Sequence, residues 1–186
     1  ATGVGATDNI SSTGAIDIDG DSVGLSGPTI AISIDIDADA GTVIANNVTA
    51  TAGSASIDAT GNIDVDDVSA TTTARVVSSA GEVDVGNVTG PDGVTISGTD
   101  IDLTGAGGAL TSTGGVLSVA ASEGDTSATG AITLTGNSVA LTGPVVADGA
   151  AVVTSTIGTT STTAVDITGT SVTTNGSVSG QTGVSL

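Results

Sequence analysis

The chain contains no Phe, Tyr, Trp, Met, Cys, His or Lys. Each absence removes a class of explanation. Aromatic rings supply the largest buried areas in ordinary cores, so a thick globular core, or two sheets packed about 10 Å apart, would be hard to fill here. Any interior must be built from Val, Ile, Leu and Ala, and a narrow interior suits short β-branched side chains that also prefer strands. Without cysteine there are no disulfides and no thiolate metal sites. General acid–base work and activated nucleophiles usually draw on His, Cys, Lys or Tyr. A pair of Asp residues could in principle cleave a glycoside, but Arg75 is the only basic side chain available to hold a sugar. The expectation is therefore a protein that is not an enzyme. No apolar run approaches the roughly 20 residues a membrane-spanning helix needs, so no membrane insertion is expected. No signal peptide is visible and the first residue is Ala1, which leads to the expectation of a mature, processed product.

Charge is almost all of one sign. Eighteen Asp and two Glu face the single Arg75, for a formal charge of −19. Nucleic-acid phosphates and anionic membrane surfaces would be repelled. Cationic partners, metal ions among them, are favoured.

What the sequence does have is repetition. Gly14–Pro28 (GAIDIDGDSVGLSGP) and Gly130–Pro144 (GAITLTGNSVALTGP) are nearly the same fifteen residues, and Val94–Gly105 and Val165–Gly176 follow the same rule. Apolar and polar residues alternate, a glycine follows, then two small polar residues, then another alternating pair and a glycine. Strict alternation places one set of side chains on each face of a strand, so the motif reads as two short strands joined at a glycine corner. Ile16, Ile18, Val23 and Leu25 take one face, and Asp17, Asp19, Ser22 and Gly24 the other. Helical spacing of apolar residues is nearly absent.

Gly41, Gly61 and Gly81 fall twenty residues apart, followed by Thr-Val-Ile, Asn-Ile-Asp-Val and Glu-Val-Asp-Val. A period near twenty predicts an all-β solenoid, or β-helix, in which each rung stacks on its neighbour about 4.8 Å away. Roughly nine rungs would form a rod on the order of 45 Å long. The alternative is a β-sandwich, since short strands separated by closely spaced turns suit that fold too. Residues 1–186 read as one domain with an irregular insertion near 105–130, where Ala121–Ser127 is expected to loop outside the coil. The polar tract Thr159–Thr163 reads as a polar-faced rung, because Val152, Val153, Ile157, Val165 and Ile167 flank it at strand-like spacing. Neither end shows the polar cap or helix that soluble solenoids place over terminal rungs. Two expectations stay open: a slice of a longer protein, or head-to-tail stacking on copies of itself, a contact that generates open fibres.

The pattern Gly-x-φ-x-φ-x-Gly-x-x-φ-x-φ-x-Gly, with φ apolar, is clear at 14–28, 93–105, 130–144 and 163–176 and weaker at 61–90. It resembles the repeats of filamentous-haemagglutinin-type exoproteins and other bacterial cell-surface β-helix adhesins. The resemblance implies a non-catalytic stalk, adhesin or fibre outside the cell, with cell-surface or glycan ligands for the adhesive variant. The Asn-Pro motif of that family's secretion domain does not occur in these 186 residues.

Candidate binding residues are mostly acids. Asp17-Ile-Asp-Gly-Asp21 has the oxygen-rich spacing of calcium loops. Asp35, Asp37 and Asp39 repeat it, as do Asp64 with Asp66 and Asp100 with Asp102. Asp64 and Asp84, one period apart, should stack about 4.8 Å from each other, where two carboxylates repel unless a cation or water separates them. The expected metal set is thus Asp17, Asp19, Asp21, Asp35, Asp37, Asp39, Asp64 and Asp84, with calcium as the ion and no cofactor required. The competing expectation is the solvated outer face of alternating strands. Thr-x-Thr pairs at Thr49/Thr51, Thr71/Thr73, Thr111/Thr113, Thr133/Thr135 and Thr154/Thr156 raise ice as a ligand, although abundant Thr produces such pairs by chance. Asn9, Asn47, Asn87 and Asn175 each begin a glycosylation sequon.

Overall fold

A computed structural model of the chain describes residues 3–104, 107–161, 165–175, 178–180 and 184–185. It is all-β, with no helix among the described residues, and its strands stack as parallel coils into a β-solenoid of about 8 turns. This is the predicted fold, with slightly fewer turns than length alone suggested. Two facing sheets, the sandwich alternative, are not what forms: the strands pair with the turn above and the turn below, in parallel.

Each turn contributes three faces. The first carries Gly3–Ala6, Ser22–Leu25 and Val43–Ala45, continues through the first halves of Ile63–Ala70 and Val83–Thr89, and goes on to Ile101–Leu103, Thr126–Ala128 and Val145–Ala147. The second begins with Ile10–Ser11, Thr29–Ala31 and Val48–Ala50. The third begins with Ile16–Gly20, Ile34–Ala38 and Ala55–Ala59. Register is the organising fact. Ile18, Ile36, Ile57, Val76, Ile96, Val119 and Leu141 are successive partners up the third face, and all but Ile18 are buried. Val43, Ile63, Val83 and Ile101 do the same on the first. Small aliphatic side chains suffice because the space between three faces is narrow; the interior needs no ring to fill it.

The glycine period has a steric cause. At the corner between the third and first faces, Gly61 N–H donates to Gly41 O at 2.7 Å. A Cβ on Gly61 would stand 2.9 Å from that same oxygen, and one on Gly81 would stand 2.5 Å from Asn62 N and Gly61 C. Any side chain would meet backbone there, so these positions are glycine because the chain passes too close to the turn below.

The turns are not equal in length. Val83 lies one turn above Ile63, at the glycine period, whereas Thr126 lies one turn above Ile101 and closes a much longer coil. That long turn carries a register shift between Ser112 and Val116. The expected excursion of Ala121–Ser127 is corrected. Ser122 N–H donates to Gly98 O and Glu123 N–H to Thr99 O, so the bend is bonded into the stack, and Thr126–Ala128 is a strand of the first face. The polar tract is strand as far as it is described: Thr159, Thr160 and Ser161 pair with Val139, Ala140 and Leu141 below. Residues 162 and 163 lie outside the described residues.

Candidate functional site

The same register that stacks Ile on Ile inside stacks Asp on Asp outside. On the first face Asp64, Asp84 and Asp102 are successive partners, bounded by Ile44 below and Ser127 above. One carboxylate oxygen from each of Glu82, Asp84 and Asp102 lies within 4.8 Å of the others. Asp100 stands at the corner leading into the same face, where its Oδ1 accepts the N–H of Ile101 at 3.1 Å and of Asp125 at 2.9 Å. The Ser127 hydroxyl donates to Asp102 Oδ1 in a short contact.

Crowding shows in the acidities. Asp84 is held above its ordinary value by burial first, then by the charges of Asp102, Asp64 and Asp100. Asp84 in turn is the main cause that raises Glu82, followed by burial, the charges of Asp102 and Asp100, and a hydrogen bond with Asp102. Burial, then Asp100 and Asp102, raises Asp125. All three move toward the protonated form, as carboxylates do when neighbours of like charge share a partly desolvated surface.

A second set lies on the third face. Asp17 partners Asp35, and Asp19, Asp37 and Asp58 form a column of three. Burial, then Asp39, Asp58, Asp19 and Asp35, raises Asp37. This column ends at the chain's only cation. Arg75 reaches diagonally down one turn, donating from Nη2 to Asp58 Oδ1 at 2.8 Å and from Nε to Oδ2 at 3.1 Å, a two-pronged pair. The Ser56 hydroxyl adds a bond to Asp58 Oδ2 at 2.9 Å.

The predicted metal residues are thus gathered by turn rather than by loop. Asp17 and Asp19, and likewise Asp35 and Asp37, sit two apart on one strand, about 6.6 Å of rise between them, and their near neighbours are the partners one turn away. Asp21 and Asp39 lie at the bends that follow those strands. Asp64 and Asp84 do stack as their spacing requires. Of the predicted set, Asp84 alone belongs to the three-carboxylate group. Glu82 and Asp102 were outside it; Asp102, noted from its spacing only beside Asp100, comes over Asp84 at a turn shorter than the glycine period. Asp100 and Asp125 become neighbours only through the long turn, which sequence spacing cannot place.

Two other predicted features find positions. On the second face Thr49, Ser69, Thr89, Thr111, Thr135 and Thr154 are partners in unbroken succession, six hydroxyls in one outward column. The column beside it runs Asp67, Asn87, Ala109, Thr133 and Val152, and the Thr51 and Thr71 hydroxyls turn back to Ala31 O and Gly53 O. Among the sequons, Asn87 has its side chain engaged: Nδ2 donates to Asp67 Oδ1 at 2.9 Å, and Oδ1 accepts the N–H of Ala109 at 3.3 Å. Asn9 and Asn47 are exposed, and Asn175, exposed on the second face, donates from Nδ2 to Thr154 Oγ1 at 3.4 Å.

No helix among the described residues is long and apolar enough to cross a membrane. No protein-family model, no curated protein and no solved structure matches the chain. The resemblance to filamentous-haemagglutinin-type exoproteins and other surface β-helix adhesins accordingly rests on the repeat pattern alone.

Proposed function

We propose that the protein is a structural, non-catalytic element, a stalk segment or fibre subunit outside the cell, whose turns continue head to tail onto those of another copy. The observation that supports this is the turn formed by Gly3–Ala6, Ile10–Ser11 and Ile16–Gly20. Among the described residues its strands pair on one side only, and its inward side chains Ala6, Ile10, Ile16 and Ile18 are half-buried against the core above. Such an edge offers parallel backbone hydrogen bonds together with an apolar ladder to extend. The outer surface suits a rod in solvent. One depression on the first face is lined by Asp102, Ser127, Val146 and Asp148 among others, a set of carboxylates and hydroxyls without His, Cys, Lys or Tyr.

Electron microscopy of the purified protein over a dilution series tests the reading. Rods whose length grows with concentration are expected, and Ile18→Lys, which places a charge in the open ladder, should stop growth while the circular dichroism of the stack persists. Rods of one length at every concentration would overturn it.

One observation favours a second reading, a solenoid that binds a ligand through its surface. The six-hydroxyl column presents Thr or Ser once per turn, about 4.8 Å apart, a regular array that could match an ordered surface such as ice or a glycan. The incomplete second column weighs against it. Thermal hysteresis decides for ice: activity that disappears in Thr111→Lys and Thr135→Lys would favour this reading, and none in the parent protein would remove ice as the ligand.

A further inference from the structure

We draw no further inference here: the strongest candidate, the carboxylate group of Glu82, Asp84 and Asp102 on the outer side of the first face, is a cluster of acidic side chains with no second observation in the structure that points to a ligand.

Discussion

The turns up to Asp125 and those above it share one interior and differ outside. Only Asp148 and Asp166 among the acids lie beyond residue 125. In the lower part, Asp stands over Asp in three columns, one on the first face and two on the third; higher up, Ser127 and Val146 continue the first-face column and Thr142 stands in line with Asp37 and Asp58 on the third. The difference teaches that in-register stacking is indifferent to chemistry. It pools apolar contact inside, where repetition of like residues is favourable, and it pools charge outside, where repetition is costly. A regular repeat gains and loses by the same geometry.

The most severe test asks whether the interior is as uniform as the exterior is not. Ile57 and Leu134 are both fully buried, one in each part. Truncating either to Ala should cost about 2–5 kcal/mol, the usual range for a large-to-small change in a packed core. Chemical denaturation that finds a large loss for Ile57→Ala and almost none for Leu134→Ala would show that the upper turns are not packed alike.

A smaller effect of opposite sign is expected at Thr29, whose hydroxyl is buried in the second face without a hydrogen-bond partner. A buried polar group left unsatisfied costs on the order of 1–3 kcal/mol, and Thr29→Val keeps the shape while removing it. The melting temperature should therefore rise. A fall would mean that the oxygen is satisfied after all.

Charge comes next. Asp37, Glu82, Asp84 and Asp125 are all raised in the folded protein, so the native state holds protons that the unfolded chain releases. The stability this confers is fully present below the ordinary values of 3.8 for Asp and 4.5 for Glu, and it is lost as pH climbs through the raised native values. Lowering the pH from 7 toward those values should raise the melting temperature. Asp84→Asn should gain about 0.2–1 kcal/mol at neutral pH, the scale of a directly opposed like-charge pair, and should flatten the pH dependence. Calcium added at pH 7 shows whether a divalent ion can replace the protons: a saturable rise in melting temperature would support the calcium expectation, and no change, with or without a chelator, would count against it.

The finest distinction concerns Arg75. An exposed ion pair contributes about 0–1 kcal/mol and less in high salt. Arg75→Gln leaves Asp58 above Asp37 with no counter-charge, whereas Asp58→Asn breaks the pair but also removes one source of the repulsion on Asp37. Arg75→Gln should therefore be the more destabilising of the two at low ionic strength. Equal losses would mean that the column carries no net repulsion.

Much of this was legible in the sequence because alternation and period were both written there. Ile16, Ile18, Val23 and Leu25 could be assigned to the inside from their spacing alone, and Gly41, Gly61 and Gly81 fixed the pitch. Asp64 over Asp84 followed from the same arithmetic. The arithmetic holds on the first face from Val23 to Val83; there Ile101 then arrives early and Thr126 late, and on the third face Ile36 already comes early over Ile18 and Ile57 late over Ile36. Which acids meet depends on how each turn absorbs its extra or missing residues at the corners, and corner geometry leaves little trace in residue type. The Arg75–Asp58 pair, diagonal between turns, is invisible to a period of twenty. So is the Asp67–Asn87 bond, although its spacing is a full period, because nothing in a sequon announces that its amide is in use.

The long turn between Ile101 and Thr126 carries a consequence for how such a molecule can change over generations. Its surplus residues are taken up locally, and pairing resumes above it with Val145 over Thr126. Contacts of substance run between successive turns, so an addition or deletion in one leaves those further away untouched. Reach is then a property that duplication or loss of a single coil can adjust by a few ångströms, without redesign of what lies on either side.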